Sequence, residues 1–263
     1  MLKIATWNIN SVRLRIDLVK NILKNQDIDI LCLQETKVVD DLFPIKDLEK
    51  IGYKHSYFSG EKSYNGVAII SKKPLSGITT HNFINEQKRH ISAILPDGTE
   101  LHNFYIPAGG DEPDPKINPK FKHKLDFCDE MARFFKKERS KFDKIIIVGD
   151  FNIAPLEHDV WSHKQLLKIV SHTPVEIEKM KNLKKTLEWI DTSREFVSID
   201  KKLYSWWSYR NRDWRKSNRG RRLDHIWITS PLKKHLKDAY ILTDERDRKK
   251  PSDHVPVIME IDI

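Results

Sequence analysis

Polar side chains that follow apolar segments are the residues of this chain best suited to do chemistry. Ile145–Val148 is an unbroken β-branched run, and Gly149, Asp150 and Asn152 follow it closely. Such a run predicts a strand buried on both faces. Asp150 and Asn152 are two positions apart, so both point to one side if the extended backbone continues past Gly149. Two polar groups held by a rigid strand suit an active site, but Gly-Asp-x-Asn is also ordinary turn chemistry.

The same arrangement recurs elsewhere in the chain. Asn8 and Asn10 follow an apolar segment at 3–7, and Glu35 follows another at 28–33. A single residue of this kind is more often a solvated loop or packing residue. The residues that share this context, at the entry or exit of predicted strands, are Asn8, Glu35, Tyr105, Asp150, Asn152, Asp224, Asp253 and His254.

The chemistry that these eight residues support is narrow if the fold brings them together. Carboxylate and amide oxygens without cysteine are hard ligands, which suit Mg²⁺ or Mn²⁺ rather than zinc. The sequence contains no Gly-rich phosphate loop and no Gly-x-Ser-x-Gly motif, which disfavours kinases, P-loop enzymes and triad hydrolases. The remaining reaction is metal-assisted attack of water on a phosphate ester, in which a carboxylate deprotonates the water and a histidine donates to phosphate oxygens.

The elements that must position these residues alternate between strands and helices. Apolar runs predict strands at 3–7, 28–33, 66–71, 145–148, 223–229 and 254–261, and an Asp-Gly pair predicts a hairpin between 90–95 and 101–106. Helical spacing of apolar residues predicts helices near 14–23, 125–135 and 177–190, the first capped by Ser11. No linker or low-complexity tract interrupts the chain, so residues 1–263 are predicted to form one domain. Its similar halves suggest two sheets that meet at a shared edge.

Length and composition describe a globular protein. The chain has 263 residues, of which 39% are hydrophobic and 32% are charged, and no apolar run approaches the roughly 18 to 20 residues that a membrane span needs. The N-terminus enters strand-like sequence at once, so we expect a cytoplasmic protein without a signal peptide or membrane association. Cys32 and Cys128 lack Cys-x-x-Cys spacing, and we expect both to be buried as small hydrophobic residues.

The net charge of +9 is compatible with a polyanionic partner such as nucleic acid. Residues 201–222, called here the basic–aromatic segment, contain nine Lys or Arg residues, one acid and five aromatic residues. Basic groups neutralise phosphates, and exposed rings stack on bases or sugars. The segment is therefore predicted to contact nucleic acid, and the alternative is a solvated loop with some core tryptophans.

Six segments of the chain form a recognisable pattern when taken in order. They are Trp7–Asn10, Leu33–Lys37, Asn103–Pro107, Gly149–Pro155, Arg222–His225 and Ser252–His254. Together they resemble the signature blocks of the exonuclease III family of abasic-site endonucleases, within the deoxyribonuclease I-like phosphoesterases. Gly-Asp-x-Asn and Ser-Asp-His are shared across that wider superfamily. The segment Tyr204–Arg210, followed by Arg219–Asp224, is what resembles the DNA-repair branch.

The resemblance implies an α/β fold, a four-layer α/β-sandwich in which two mixed β-sheets pack face to face between helices, with the site at one end. It implies that Glu35 is the main Mg²⁺ ligand, that Asp150 activates the water, and that His254 contacts the phosphate. The implied catalytic residues are Tyr105, Asp150, Asn152, Asp224 and His254. The implied metal-site residues are Glu35, Asn8, Asp150, Asn152, Asp253 and His254. This set overlaps with the catalytic residues, because the family is described with one metal or with two.

The resemblance also implies a pocket for a sugar that lacks its base. Trp206 and Leu223 would line this pocket, Arg210 and Arg221 would contact the DNA, and Trp207 is predicted to be a core residue. An intact nucleotide would be excluded because it is larger and more costly to unstack.

Two positions depart from the family pattern, and they do not change the implied function. Ala108 stands where many relatives carry Gln or Asn, and Asn10 stands where animal relatives carry an Asp ligand, which should weaken a second metal position. The implied enzyme is a monomer that uses Mg²⁺, or Mn²⁺ as a substitute. It cuts double-stranded DNA on the 5′ side of abasic sites, leaves a 3′-hydroxyl, and trims blocked 3′ ends as a 3′-to-5′ exonuclease. The alternatives are a small-molecule or lipid phosphatase of the same superfamily and a non-catalytic DNA-binding module.

Overall fold

The computed structural model of the protein describes residues 1–211 and 213–263. The strands are β1 Leu2–Asn8, β2 Ile30–Gln34, β3 His55–Ser59, β4 Val67–Ser71, β5 Ser76–Thr79, β6 His90–Ile94, β7 Glu100–Tyr105, β8 Ile145–Asp150, β9 Ile190–Asp191, β10 Asp224–Ile228, β11 Leu236–Ile241 and β12 Val257–Ile261. The α-helices are α1 Ile16–Asn25, α2 Ile45–Glu49, α3 Pro119–Glu138, α4 His163–Leu166, α5 Pro174–Thr186, α6 Thr192–Phe196 and α7 Trp214–Ser217. No helix in these two ranges combines the length and the apolar character that crossing a membrane requires.

The strands form two six-stranded sheets. Their orders are β11-β12-β1-β2-β4-β3 and β5-β6-β7-β8-β10-β9. Each sheet contains one parallel pair, β1 with β2 and β7 with β8, among antiparallel neighbours, so both sheets are mixed. A parallel pair places the carboxyl ends of its two strands side by side. The residues that end β1, β2, β7 and β8 therefore lie next to each other within each sheet.

The two sheets pack face to face, and helices cover their outer faces. Ile146 and Val148 of β8 share a buried cluster with Ile4 of β1 in the other sheet. Ile145 and Ile147 point the opposite way, into a cluster with α3 and α5. Both faces of β8 are therefore apolar environments, which explains its unbroken β-branched run. The predicted four-layer sandwich is confirmed, and the expectation from pattern that the sheets meet at a shared edge is wrong.

The two longest helices begin at identifiable caps. Asn118 accepts hydrogen bonds from the first backbone amides of α3, and Pro119 occupies the first helical position. Thr173 caps α5 in a capping box with Glu176. The prediction for α5 was shifted, because Ile190 belongs to β9 and not to the helix.

The N-terminal helix and the last strand also differ from prediction. Ser11 does not cap α1, which begins at Ile16, because the backbone amide of Ser11 is held by the carbonyl of Glu35 beyond the end of β2. The last strand begins at Val257, since His254 pairs with Trp206 in an isolated bridge. Both cysteines are buried, as predicted. The single domain over residues 1–263 stays a prediction.

Candidate active site

Strand ends from both sheets meet at one end of the sandwich. Asn8 is the last residue of β1, and its side-chain nitrogen donates to Glu35 Oε1 at 2.9 Å and to Asp150 Oδ2 at 2.8 Å. The hydroxyl of Tyr105, at the end of β7, donates to the same Glu35 oxygen at 2.8 Å. Because β1 and β7 belong to different sheets, these bonds join the two sheets. The structure therefore brings four of the predicted site residues together.

Asp150 and Asn152 meet through a turn and not through strand alternation. A Cβ on Gly149 would lie 1.9 Å from the carbonyl oxygen of Phe104, so only glycine fits at this point of β8. Asn152 has a left-handed backbone with φ of 53°. Its backbone amide donates to Asp150 Oδ1 at 2.9 Å, and its side-chain nitrogen donates to Asp150 Oδ2 at 3.0 Å. The turn predicted for Gly-Asp-x-Asn is therefore confirmed, and this turn brings the side chains of Asp150 and Asn152 together.

His254 lies between two buried carboxylates. Its Nδ1 is 2.8 Å from Asp224 Oδ2, and its Nε2 is 3.7 Å from Asp150 Oδ2. The hydroxyl of Ser205 donates to the same Asp224 oxygen at 2.6 Å and accepts the backbone amide of Asp224 at 3.1 Å. The imidazole ring is therefore oriented by Asp224, which Ser205 holds in turn.

This arrangement shifts the pKa values of His254 and Asp150 in the same direction. Burial lowers the pKa of His254, but the charges of Asp224 and Asp150 outweigh that effect and raise it to about 10. Burial raises the pKa of Asp150 to about 7, although the charge of His254 opposes the change. At neutral pH, His254 is a charged hydrogen-bond donor, and Asp150 exchanges a proton readily.

Glu35 is held as an anion on the other side of Asp150. Burial favours its neutral form, but the charge of Lys37, together with hydrogen bonds from Asn8, Lys37 and Tyr105, lowers its pKa. Lys37 Nζ lies 2.7 Å from Glu35 Oε2. Burial and the neighbouring charges of Glu35 and Asp150 raise the pKa of Tyr105 well above its usual value, so its hydroxyl remains a donor.

A cavity of about 620 Å³ opens beside these residues. The predicted site residues in its wall are Glu35, Asn152, Asp253, His254, Trp206, Leu223, Arg210 and Arg221. The remaining predicted residues are buried, and each is hydrogen-bonded to a residue of the wall: Asn8, Tyr105, Asp150 and Asp224. The predicted residues therefore fall into two groups. One group lines the cavity, and the other is buried and hydrogen-bonded to the first.

The residues in the wall fit a hard divalent cation. Glu35, Asn152 and Asp253 bring carboxylate and amide oxygens to the cavity, and the described residues of its lining include no cysteine. Asp150 and Asp224 also place oxygen atoms within 4.8 Å of a nitrogen of His254. That group suits a cation less well, because the charged His254 occupies the space between the two carboxylates.

Asn8 is a hydrogen-bond donor to the carboxylates in this arrangement. Its side-chain oxygen accepts the backbone amide of Asn10 at 3.1 Å, which leaves its nitrogen to face Glu35 and Asp150. The ligand role of Asn8 stays a prediction, as do the roles of the other predicted ligands.

Several side chains of the basic–aromatic segment belong to the core. Tyr204, Trp207 and Trp214 are buried in one cluster, so the expectation of exposed rings is wrong for two of them and the core prediction for Trp207 is confirmed. Arg222 is fully buried and bonded to Asp159 and is therefore not free to bind phosphate.

Six other residues of the segment line one side of the cavity: Trp206, Ser208, Arg210, Asn211, Arg219 and Arg221. Trp206 is partly exposed, and Arg221 stacks over its ring with 5.2 Å between guanidinium carbon and ring centroid. Arg219 stacks over Trp161 in the same wall at 4.8 Å, while Arg210 is exposed at the rim. Sequence reasoning missed Trp161, because this residue lies outside every motif and predicted element of the sequence.

Comparison with known proteins gives a consistent result across the whole chain. Residues 5–254 match the model of the Endonuclease/Exonuclease/phosphatase family. Exodeoxyribonuclease III of Haemophilus influenzae is 32% identical over an alignment that covers 98% of this chain and 99% of that protein.

Solved structures show the same likeness. An AP endonuclease from Archaeoglobus fulgidus has a TM-score of 0.92 and 33% identity, with 100% of both chains covered. A 3′ phosphatase, NExo, from Neisseria, solved with a product DNA hairpin, has a TM-score of 0.91 and 32% identity, also with 100% of both chains covered. Enzymes of this kind depend on a metal ion. With its two mixed sheets and the site at their joined ends, the chain belongs to the Endonuclease/Exonuclease/phosphatase family.

Proposed function

We propose that the protein is a Mg²⁺-dependent DNA-repair nuclease that hydrolyses the phosphodiester on the 5′ side of an abasic site in double-stranded DNA. It leaves a 3′-hydroxyl, and it also removes blocking groups and nucleotides from 3′ ends. We expect it to act as a monomer, as the resemblance implies, and in the cytoplasm, which its similarity to a bacterial exodeoxyribonuclease III supports. Mn²⁺ is the expected substitute metal because it favours the same oxygen ligands.

One observation carries this proposal. The buried Asp224–His254–Asp150 group, with distances of 2.8 Å and 3.7 Å, adjoins a cavity whose wall combines Glu35 with aromatic and arginine side chains. The first group supports proton transfer at a phosphate, and the second supports binding of a polyanionic sugar–phosphate chain. A binding module without catalysis would not require the two buried carboxylates.

The chemical roles follow from the protonation states. His254 is charged, and its Nε2 donates to a non-bridging phosphate oxygen, while Asp224 keeps the ring in place. Asp150 takes the proton of the attacking water, and a pKa of about 7 suits a general base at neutral pH. Asp150 is buried behind Asn152 and His254, two residues of the cavity wall, so the attacking water would approach it between them. The water oxygen bonds to phosphorus as the bond from phosphorus to the 3′ oxygen breaks, and the departing 3′ oxygen takes a proton from solvent to become the 3′-hydroxyl.

The metal and the remaining residues stabilise charge and hold the substrate. Mg²⁺ bound by Glu35, with Asp253 and Asn152 as further oxygen donors, would offset the charge of the phosphate. Tyr105 keeps its proton and orients Glu35 through a bond of 2.8 Å. Trp206 is tied to Asp253, because its ring nitrogen donates to Asp253 Oδ2 at 2.9 Å. The abasic sugar is held between Trp206 and Leu223 beside the reacting phosphate.

The test is incision of duplex DNA that carries one abasic analogue. The wild-type protein with Mg²⁺ should cut the damaged strand once, on the 5′ side of the analogue, and EDTA should stop the reaction. Asp150→Asn should reduce the rate by at least about a hundredfold, because the general base is lost. Incision that survives both EDTA and Asp150→Asn would contradict the mechanism. Release of phosphate from inositol phosphates, without incision, would instead identify a small-molecule phosphatase.

A further inference from the structure

A buried ion pair lies beside the cavity and has no part in the proposed reaction. Lys124 of α3 and Glu176 of α5 are both completely buried, with 2.5 Å between Nζ and Oε1. Removing two charges from water is costly, and well-packed apolar residues of similar volume often stabilise a fold equally well or better. Stability alone therefore does not account for this pair.

The lysine binds two loops of the cavity wall. Lys124 Nζ also donates to the backbone carbonyl of Asn152 at 2.8 Å and to that of Ala108 at 3.2 Å. With Glu176, these acceptors use all three protons of the ammonium group. Asn152 and Ala108 both line the cavity, and they follow different strands, β8 and β7.

The hydrogen bond from Lys124 to the carbonyl of Asn152 supports an unusual backbone conformation. The left-handed backbone of Asn152 is uncommon for a residue other than glycine, so surrounding bonds must maintain it. The side-chain nitrogen of Asn152 is shared between Asp150 Oδ2 at 3.0 Å and the carbonyl of Ile106 at 2.9 Å. A displacement of the Asn152 backbone would disturb both bonds, and Lys124 holds the carbonyl oxygen of this residue.

The glutamate extends the arrangement to a third loop. Both oxygens of Glu176 accept the backbone amide of Ser171 at 2.9 Å, and Oε2 accepts the backbone amide of Thr173 at 3.0 Å. Ser171 lines the cavity, and its hydroxyl accepts a hydrogen bond from Arg221 at 2.6 Å. The ion pair thus connects three segments of the cavity wall.

Packing leaves this arrangement little freedom. A Cβ on Gly109 would lie 2.9 Å from Lys124 Cδ, so the backbone at Gly109 rests directly on the lysine stem. An apolar side chain at position 124 could fill the same space, but it could not donate to the two carbonyls.

We propose that Lys124 is a positioning residue for the nuclease reaction. Its ammonium group, held by Glu176, fixes the peptide of Asn152 so that the Asn152 side chain stays bonded to Asp150 and faces the scissile phosphate. This inference rests on the function proposed above. A displacement of about 1 Å at such a site costs on the order of a hundredfold in rate, so loss of the ammonium group should act on kcat.

The test compares three variants with the wild type on the abasic duplex. Lys124→Met removes the donor and leaves Glu176 unpaired, so it should lower both the melting temperature and kcat. Lys124→Met combined with Glu176→Gln removes both charges. The double variant should recover most of the melting temperature while kcat stays about ten- to a hundredfold below wild type and KM changes less than about twofold.

A matched control uses a second ion pair between the same two helices. Lys179 of α5 lies 2.6 Å from Asp129 of α3 but is partly exposed. Lys179→Met should match the wild type in kcat, in KM and, within a few degrees, in melting temperature.

Two outcomes would overturn the inference. The first is a double variant with the kcat of the wild type. The second is a loss of activity in Lys124→Met that is fully explained by its unfolded fraction.

Wild-type protein that does not cut the abasic duplex would refute the proposed function instead. The inference is then judged by the NMR signals of the Asn152 side-chain amide, which must shift in the double variant and stay unchanged in Lys179→Met.

Discussion

The contact between Asp224 and His254 allows a quantitative prediction for Asp224→Asn. The pKa of His254 is raised from an ordinary value of 6.5 to about 10, which corresponds to about 5 kcal/mol in favour of the charged ring. Asp224 supplies the closer of the two charges, at 2.8 Å against 3.7 Å for Asp150, and it alone is hydrogen-bonded to the ring. Asparagine keeps the shape and an acceptor but removes the charge. The pKa of His254 should therefore fall from about 10 into the neutral range.

The loss of activity in Asp224→Asn should depend on pH. A histidine with a pKa near 7 is charged in about one molecule in ten at pH 8. The ratio of wild-type to variant kcat/KM should therefore be about ten or more at pH 8 and should shrink toward pH 6. Taking the ratio reduces the influence of Asp150, whose protonation near pH 7 lowers the activity of both proteins in acid.

Asp224→Asn should also change how the free energy of unfolding depends on pH. Because the folded pKa of His254 is above its unfolded value, its charged form stabilises the fold fully below about pH 6.5. This contribution is lost as the pH rises through about 10, and the loss should be much smaller in Asp224→Asn.

The assays are a pH–rate profile on the abasic duplex and an NMR titration of the His254 ring. A constant activity ratio between pH 6 and pH 9, together with an unchanged titration midpoint, would refute the reasoning. Asp224 would then orient the ring without controlling its charge. Ser205→Ala is a useful companion because it weakens the hold on Asp224 and keeps the carboxylate.

Two further predictions concern the cavity and the core. Trp206→Ala should reduce incision more than it reduces Mg²⁺ affinity, because the ring contacts the sugar while Glu35 remains; equal incision by mutant and wild type would exclude Trp206 from the pocket. His225 is buried, and burial lowers its pKa to about 4, so its protonation destabilises the fold as the pH falls below about 6.5. The unfolding free energy of the wild type relative to His225→Gln should therefore drop by about 3 kcal/mol between pH 7 and pH 4. Urea titrations measure this free energy for both proteins. Curves of unfolding free energy against pH that run parallel for the two proteins would contradict the prediction.

The strands of the site were predictable because their signals are local. The β-branched run of β8 and the polar residues after it are adjacent in sequence, and burial on both faces explains that composition. The turn at Gly149 was less predictable. The sequence Gly-Asp-x-Asn is compatible with an extended backbone and with a turn, and in the structure Asn152 turns back to bond Asp150.

The basic–aromatic segment shows where local composition misleads. Its positive residues and rings suggested an exposed surface, but Trp214 and Tyr204 are core residues and Arg222 is buried against Asp159 and Asp191. A tryptophan is both a stacking surface and a large apolar core residue. Composition does not distinguish these uses, because burial depends on contacts made by distant parts of the chain.

Buried charges account for most of what sequence reasoning could not supply at the site. Arg222 makes paired bonds to Asp159 and to Asp191, which are 63 and 31 residues away, and it directly precedes Leu223 and Asp224. Removing one partner of such a group would leave a buried charge without compensation and cost about 3 to 5 kcal/mol. These bonds fix the backbone at the start of β10. Asp224 lies at this point and bonds the ring of His254, so the orientation of His254 depends on them. The buried pair of Lys124 with Glu176 does the same for Asn152 on the other side of Asp150. Both supports join residues far apart in sequence, so motifs alone indicate the reacting groups but not the bonds that hold them at working distances.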